Sequence, residues 1–136
     1  MMTNIYIDEN FSHHLADGLN VFQKHLNSNE KLQIQVLSIK QVFGKGVKDE
    51  DWIPLVGKER GIVITQDLRI HTTRHQNELY KKHGLGVFFF KPPSTGFSFW
   101  EMVEQLIKRW PEIKKKSSDN RPFAFRITPN KMERLS

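Results

Sequence analysis

The sequence contains no cysteine. No disulfide can staple this chain and no thiolate can hold zinc, which suits a reducing compartment. Long apolar runs are missing too. No stretch approaches the roughly 20 apolar residues of a membrane-spanning helix. Met1-Met2-Thr3-Asn4 lacks the basic and then apolar pattern of a secretory leader. There is no internal repeat and no low-complexity tract. Gly44-Lys45-Gly46 is not a phosphate-binding P-loop, because the second glycine and a Lys-Ser/Thr pair are misplaced. These absences leave a soluble cytoplasmic protein with no membrane partner as the expectation. Its 136 residues suffice for one domain with its own apolar core.

Charge is present but unevenly spread. The net charge is +6. Residues 1–104 hold 12 Lys/Arg against 12 Asp/Glu, and residues 105–136 hold 9 against 3. The whole excess therefore sits in the last 32 residues. A basic segment beside an acid-lined site suits a polyanionic substrate, although a solvated tail or a docking surface for an acidic protein has the same composition.

The apolar pattern alternates between strand and helix. Asn4-Ile5-Tyr6-Ile7 is a short buried strand that stops at Asp8-Glu9-Asn10. Phe11, Leu15, Leu19, Phe22 and Leu26 then recur at helical spacing, with Ser12 as N-cap. Leu32 to Ile39 reads as a strand near a sheet edge. Asp49 caps a helix through Trp52, Ile53, Leu55 and Val56. Ile62-Val63-Ile64-Thr65 is a third strand ending in Gln66-Asp67, and a polar helix runs from about His71 to Lys82. Gly86-Val87-Phe88-Phe89-Phe90 is a strand apolar on both faces. Ser98 to Glu101 matches a capping box, opening a helix that ends near Pro111. Residues 121–127 alternate and suit an edge strand. This alternation predicts an α/β fold with a mostly parallel sheet covered by helices. A main domain over residues 1–112 and a basic extension over 113–136, packed on the same domain, follow from charge and pattern together.

Asp8 follows the first strand directly, and Asp67 follows the third. In a parallel sheet the carboxyl ends of the strands share one edge, where ligands bind. Asp49 reaches that edge if its helix begins there. Three carboxylates brought together repel one another unless a cation sits between them, and hard oxygen donors select Mg²⁺ or Mn²⁺. Taken singly, each acid has a plainer reading, as a turn residue or a helix cap. Their expected recurrence on one edge favours a site.

Four segments in this order carry a resemblance: Ile5-Tyr6-Ile7-Asp8-Glu9-Asn10-Phe11, Gly46-Val47-Lys48-Asp49-Glu50-Asp51-Trp52-Ile53, Gly61 to Asp67, and Gly86-Val87-Phe88-Phe89. Together they resemble the PIN-like nuclease domains, in particular a short branch that opens with Asp-Glu-Asn and is related to the VapC toxins of toxin–antitoxin modules. The resemblance covers residues 4–110. It implies a three-layer α/β/α domain and a metal-dependent endoribonuclease. Asp8, Asp49 and Asp67 match the catalytic, metal-holding acids. Asn10 matches the polar residue two beyond the first acid, and Thr65 the hydroxyl before the last. Many relatives carry a fourth acid where this chain has Arg69. That departure bears on a second metal and on activity itself. Glu9, Glu50 and Asp51 are the acids at hand to compensate.

Beside the acids, Arg69, His71, Arg74 and His75 can grip RNA phosphates, or simply form a solvated helix face. His71 and His75 are spaced like metal ligands, but residue 72 is Thr, without a metalloprotease glutamate. His13 and His14 are adjacent on a helix, so they are expected to point apart at the surface and not to form one site with each other. Phe88-Phe89-Phe90 and Phe97, Phe99 and Trp100 are expected in the core rather than as base-stacking platforms. The functions to separate are a ribonuclease toxin with an antitoxin partner, a catalytically inactive PIN-like module binding RNA or a protein, and a receiver-like phosphotransfer domain. Lys91-Pro92 suits the last, but an acceptor aspartate at the end of the second full strand is missing. A homodimer is compatible with all three.

Overall fold

A computed structural model describes residues 2–8, 11–66 and 70–135, the last segment without the side chains of residues 70–73. The chain starts with β1 (Met2–Ile7), whose apolar end is buried. Ser12 then caps α1 (His13–Asn27), its side chain accepting from the His14 amide. β2 (Gln33–Ser38) follows, then a short α2 (Ile39–Phe43) that stops at Gly44, where φ is +101°. Only glycine adopts that backbone cheaply. α3 (Asp49–Lys58) leads into β3 (Ile62–Gln66), and α4 (Ile70–His83) into β4 (Gly86–Phe90). α5 (Phe99–Lys116) precedes β5 (Phe123–Ile127) and β6 (Met132–Arg134).

The six strands lie in the order β2-β1-β3-β4-β5-β6, all pairs parallel except β5 with β6. Because side chains alternate along a strand, each strand feeds two cores. Ile5, Ile7, Ile62, Ile64, Phe88 and Phe90 face Leu15 and Leu19 of α1 and Met102, Leu106 and Trp110 of α5. Tyr6, Val63, Val87 and Phe89 face Trp52, Ile53 and Val56 of α3 and Tyr80 of α4. The result is the three-layer α/β/α architecture. Each fully buried large apolar side chain contributes about 1.5–3 kcal/mol, so the doubly buried central strands anchor the fold.

Several details differ from the sequence expectation. Pro111 lies inside α5, which continues to Lys116. An interior proline costs a helix about 3 kcal/mol. Burial of Trp110 and Ile113 on either side of it offsets that loss. Residue 112, the expected division, consequently falls within a helix. β5 is not the edge strand, because β6 pairs along its outer side. Arg109 ties α5 to the connection between these strands, donating to the carbonyl oxygens of Thr128 and Pro129 at 2.9 and 3.1 Å. The Phe88–Phe90 run is buried as expected, but Trp100 is 75% and Phe99 46% exposed. Phe22 and Leu26, counted in the apolar stripe of α1, are exposed as well. The stripe is wider than the surface α5 covers, and Phe22 lines an apolar groove between α1 and α5. No helix among the described residues is long and apolar enough to cross a membrane.

Candidate metal centre

The strand order turns in opposite directions from β1 and β3: β1 is followed outward by β2, and β3 by β4. Such a reversal opens a crevice at the carboxyl ends of the two central strands. Asp8 lies there. Its amide donates to the Ile64 carbonyl at 3.0 Å, carrying the β1–β3 ladder one step past the Ile7–Ile64 pair. Asp8 shares side-chain parity with Tyr6, and Thr65 with Val63. Both therefore face the α3/α4 layer. Across the two strands the Thr65 hydroxyl donates to Asp8 Oδ2 at 2.6 Å, with Asp8 8% exposed and Thr65 fully buried.

Asp49 approaches from α3. It is the first residue of that helix rather than its cap, which is Lys48 without a side-chain capping bond. The acids Asp49, Glu50 and Asp51 all occupy the first turn, where the helix dipole favours negative charge. Being one position inside the helix leaves the Asp49 carboxylate available for tertiary contacts. Trp52 Nε1 donates to Asp49 Oδ1 at 3.2 Å and Gln76 Nε2 of α4 to Oδ2 at 3.4 Å. Nearby, His75 Nε2 lies 4.0 Å from Glu50 Oε1, both well exposed.

Tyr80 connects the two acids. It is 1% exposed, and its hydroxyl has no hydrogen-bond partner among the described residues. Its pKa stands well above the ordinary 10, first because of burial, then because of the negative charges of Asp8 and Asp49. Both carboxylates thus act on one buried phenol. Tyr80 lies within the polar helical segment 71–82, where nothing in the local sequence marks it for a site. Strand parity, continued past the end of β1, is the signal that places Asp8 over this layer.

These groups fit a divalent ion. Two carboxylates and two hydroxyls are hard oxygen donors of the kind Mg²⁺ and Mn²⁺ take. Acids of one sign acting on one buried point are most stable with a cation among them. An orphaned buried hydroxyl is also a place where an ion's water can be held. Of the other residues named from sequence, Asp67, Glu9, Asn10 and Arg69 lie outside the described residues, as does the side chain of His71. Arg74 is exposed on α4. His13 and His14 do not point apart: their ring centroids are 4.0 Å from each other.

The fold agrees with a comparison of the sequence with known families. Residues 3–92 match the model of the PIN-like domain, and the chain belongs to that family. The match ends just after β4, so α5, β5 and β6 lie beyond it. No curated protein and no solved structure matches the chain. Domains of this family are typically nucleases and usually use divalent metals.

Proposed function

We propose that the protein is a Mg²⁺- or Mn²⁺-dependent endoribonuclease that hydrolyses RNA phosphodiester bonds, and that it serves as the toxin of a toxin–antitoxin module. The observation that carries this reading is the buried Thr65–Asp8 pair at the β1/β3 crevice, with Asp49 acting on the same buried tyrosine. Asp8 and Asp49 hold the ion, and Asp67, which follows the last residue of β3 in sequence, completes the acid set. When bound, the ion supplies a hydroxide near neutral pH and stabilises charge on the scissile phosphate. Thr65 fixes the Asp8 carboxylate in one rotamer. The Trp52 and Gln76 donors do the same for Asp49. Arg69, His71, Arg74 and the basic final 32 residues grip the RNA backbone, in keeping with where the positive excess lies. The VapC-like role adds a protein antitoxin as partner and places the activity in the cytoplasm.

The test is cleavage of a mixed RNA pool by the purified chain. Cleavage should need Mg²⁺ or Mn²⁺, stop with EDTA and be lost in Asp8→Asn. Undiminished cleavage by Asp8→Asn would refute the mechanism. A second reading has one observation in its favour: Arg69 stands where the resemblance leads one to expect a fourth acid. It makes the domain an inactive module that binds RNA or a partner protein. In that case millimolar Mg²⁺ or Mn²⁺ should not raise the melting temperature, since only binding to the folded state stabilises it.

A further inference from the structure

We propose that His13, His14 and Asp17 form a second cation site, for a first-row transition ion of the zinc class, separate from the oxygen-lined crevice. One ligand atom from each of the three residues lies within 4.8 Å of the others. Neighbouring residues on a helix normally diverge. His13 is the first residue of α1, so no preceding turn restricts its ring, and it swings to within 4.0 Å of His14. Asp17 lies one turn on, with Oδ2 3.3 Å from His13 Nδ1. Ligands on a tetrahedral ion with bonds of about 2.0–2.2 Å stand roughly 3.3–3.5 Å apart, so this edge already has the required length.

A proton is short at this point. His13 Nδ1 contacts the Asp17 carboxylate at 3.3 Å and the Gln41 side-chain nitrogen at 3.1 Å. If Nδ1 carries hydrogen, it donates to Asp17 but confronts the Gln41 amide donor. If it does not, it accepts from Gln41 but confronts the carboxylate. Turning the Gln41 amide over makes two acceptors compete for one proton. A cation in place of the proton satisfies Nδ1, Asp17 and the turned amide oxygen together. Two imidazoles with one carboxylate suit Zn²⁺, Ni²⁺ or Co²⁺, whereas Mg²⁺ prefers oxygen alone.

The placement is distinct from the acid crevice. α1 belongs to the layer it shares with α5, on the face of the sheet opposite α3 and α4. It still starts at the same edge, since the Phe11 amide donates to the Asp8 carbonyl at 3.1 Å. A cation there adds positive charge beside the crevice, a role that rests on the nuclease reading; binding itself does not. The helix dipole opposes a cation at an N-terminus, so Asp17 is indispensable.

The experiment is calorimetric titration of the full, untagged chain with Zn²⁺, repeated with Co²⁺ to read nitrogen ligation in the visible spectrum. One saturable Zn²⁺ site is expected, weakened more than about tenfold by His14→Ala and by Asp17→Asn, since even losses beyond the ligands themselves cost about that much. Asp8→Asn should leave it unchanged. Absence of saturable Zn²⁺ binding overturns the proposal, as does unchanged affinity in the His13→Ala/His14→Ala double variant. Equal loss in Asp8→Asn also overturns it, by assigning the zinc to the crevice. Zinc binding by a parent chain that cleaves no RNA would instead count against the nuclease reading alone.

Discussion

Thr65 gives its hydroxyl proton to Asp8 Oδ2 across 2.6 Å, in a buried bond that joins the carboxyl ends of β1 and β3. The two residues are 57 apart in sequence, so only the parallel pairing of their strands brings them together. A hydrogen bond to a charged group contributes about 1.5–3 kcal/mol. Thr65→Val keeps the shape but removes the donor, so urea denaturation should show a loss of that order. Thr65→Ser should recover most of it. RNA cleavage should fall in the valine variant and return in the serine one.

Tyr80 makes the opposite prediction for stability. Its buried hydroxyl has no partner among the described residues, so it bears a desolvation cost without a bond in return. Tyr80→Phe keeps the ring contacts with Trp52 and Phe89, at 6.1 and 6.2 Å between centroids. The metal-free variant should be as stable as the parent or more stable, by up to about 1 kcal/mol. A calorimetric melt in EDTA checks this. If the hydroxyl holds a water of the bound ion, the same substitution should reduce the stabilisation that Mn²⁺ gives.

Glu30 supplies a pH test away from the site. Lys114 Nζ bonds both of its carboxylate oxygens at 2.9 Å, and Gln23 donates to one at 3.1 Å. The bond from Lys114, and then that from Gln23, holds the Glu30 carboxyl below its ordinary 4.5. The folded state therefore binds this proton less tightly than the unfolded chain does. The resulting stability is complete above about pH 4.5 and is lost as pH falls through the lowered folded value. Glu30→Gln should be less stable than the parent at neutral pH, by under about 1 kcal/mol for a part-buried pair at the surface. The gap should close on acidification, as read by urea midpoints across that range.

Gly86 tests the packing between β4 and β5. A Cβ added there would stand 2.3 Å from the Phe123 ring, which is itself buried. Gly86→Ala must push that ring aside, and overpacking of this kind costs about 1–3 kcal/mol. A fall in melting temperature is expected, and Phe123→Leu in the same chain should relieve part of it.

Much of this arrangement was legible in the sequence, and the exceptions have physical causes. The β-branched run at Ile62–Thr65 and the apolar run at Gly86–Phe90 announce central strands because both faces are buried. Asp8 stands out in the sequence as a candidate because it stops a strand. Tyr80 does not, since the two acids that act on it stand after β1 and at the start of α3, both far from it in the chain. Pro111 misled because helix rules are local, whereas the burial of Trp110 and Ile113 that sustains α5 is tertiary. Phe99 and Trp100 misled for the complementary reason: an aromatic pattern does not say whether a neighbour exists to cover it. The closeness of His13 and His14 depends on how their side chains turn at the start of α1, which spacing along a helix does not give.

The central claim is that Asp8 and Asp49 serve one cation. Mn²⁺ affinity, followed by the loss of its electron paramagnetic resonance signal on binding, tests it most directly. Asp8→Asn and Asp49→Asn should each weaken the same site by more than about tenfold. The double variant should be little worse than either, because ligands of a single ion are not independent. His13→Ala should leave the affinity unchanged. Mn²⁺ binding that is equal in the parent, Asp8→Asn and Asp49→Asn would contradict the account.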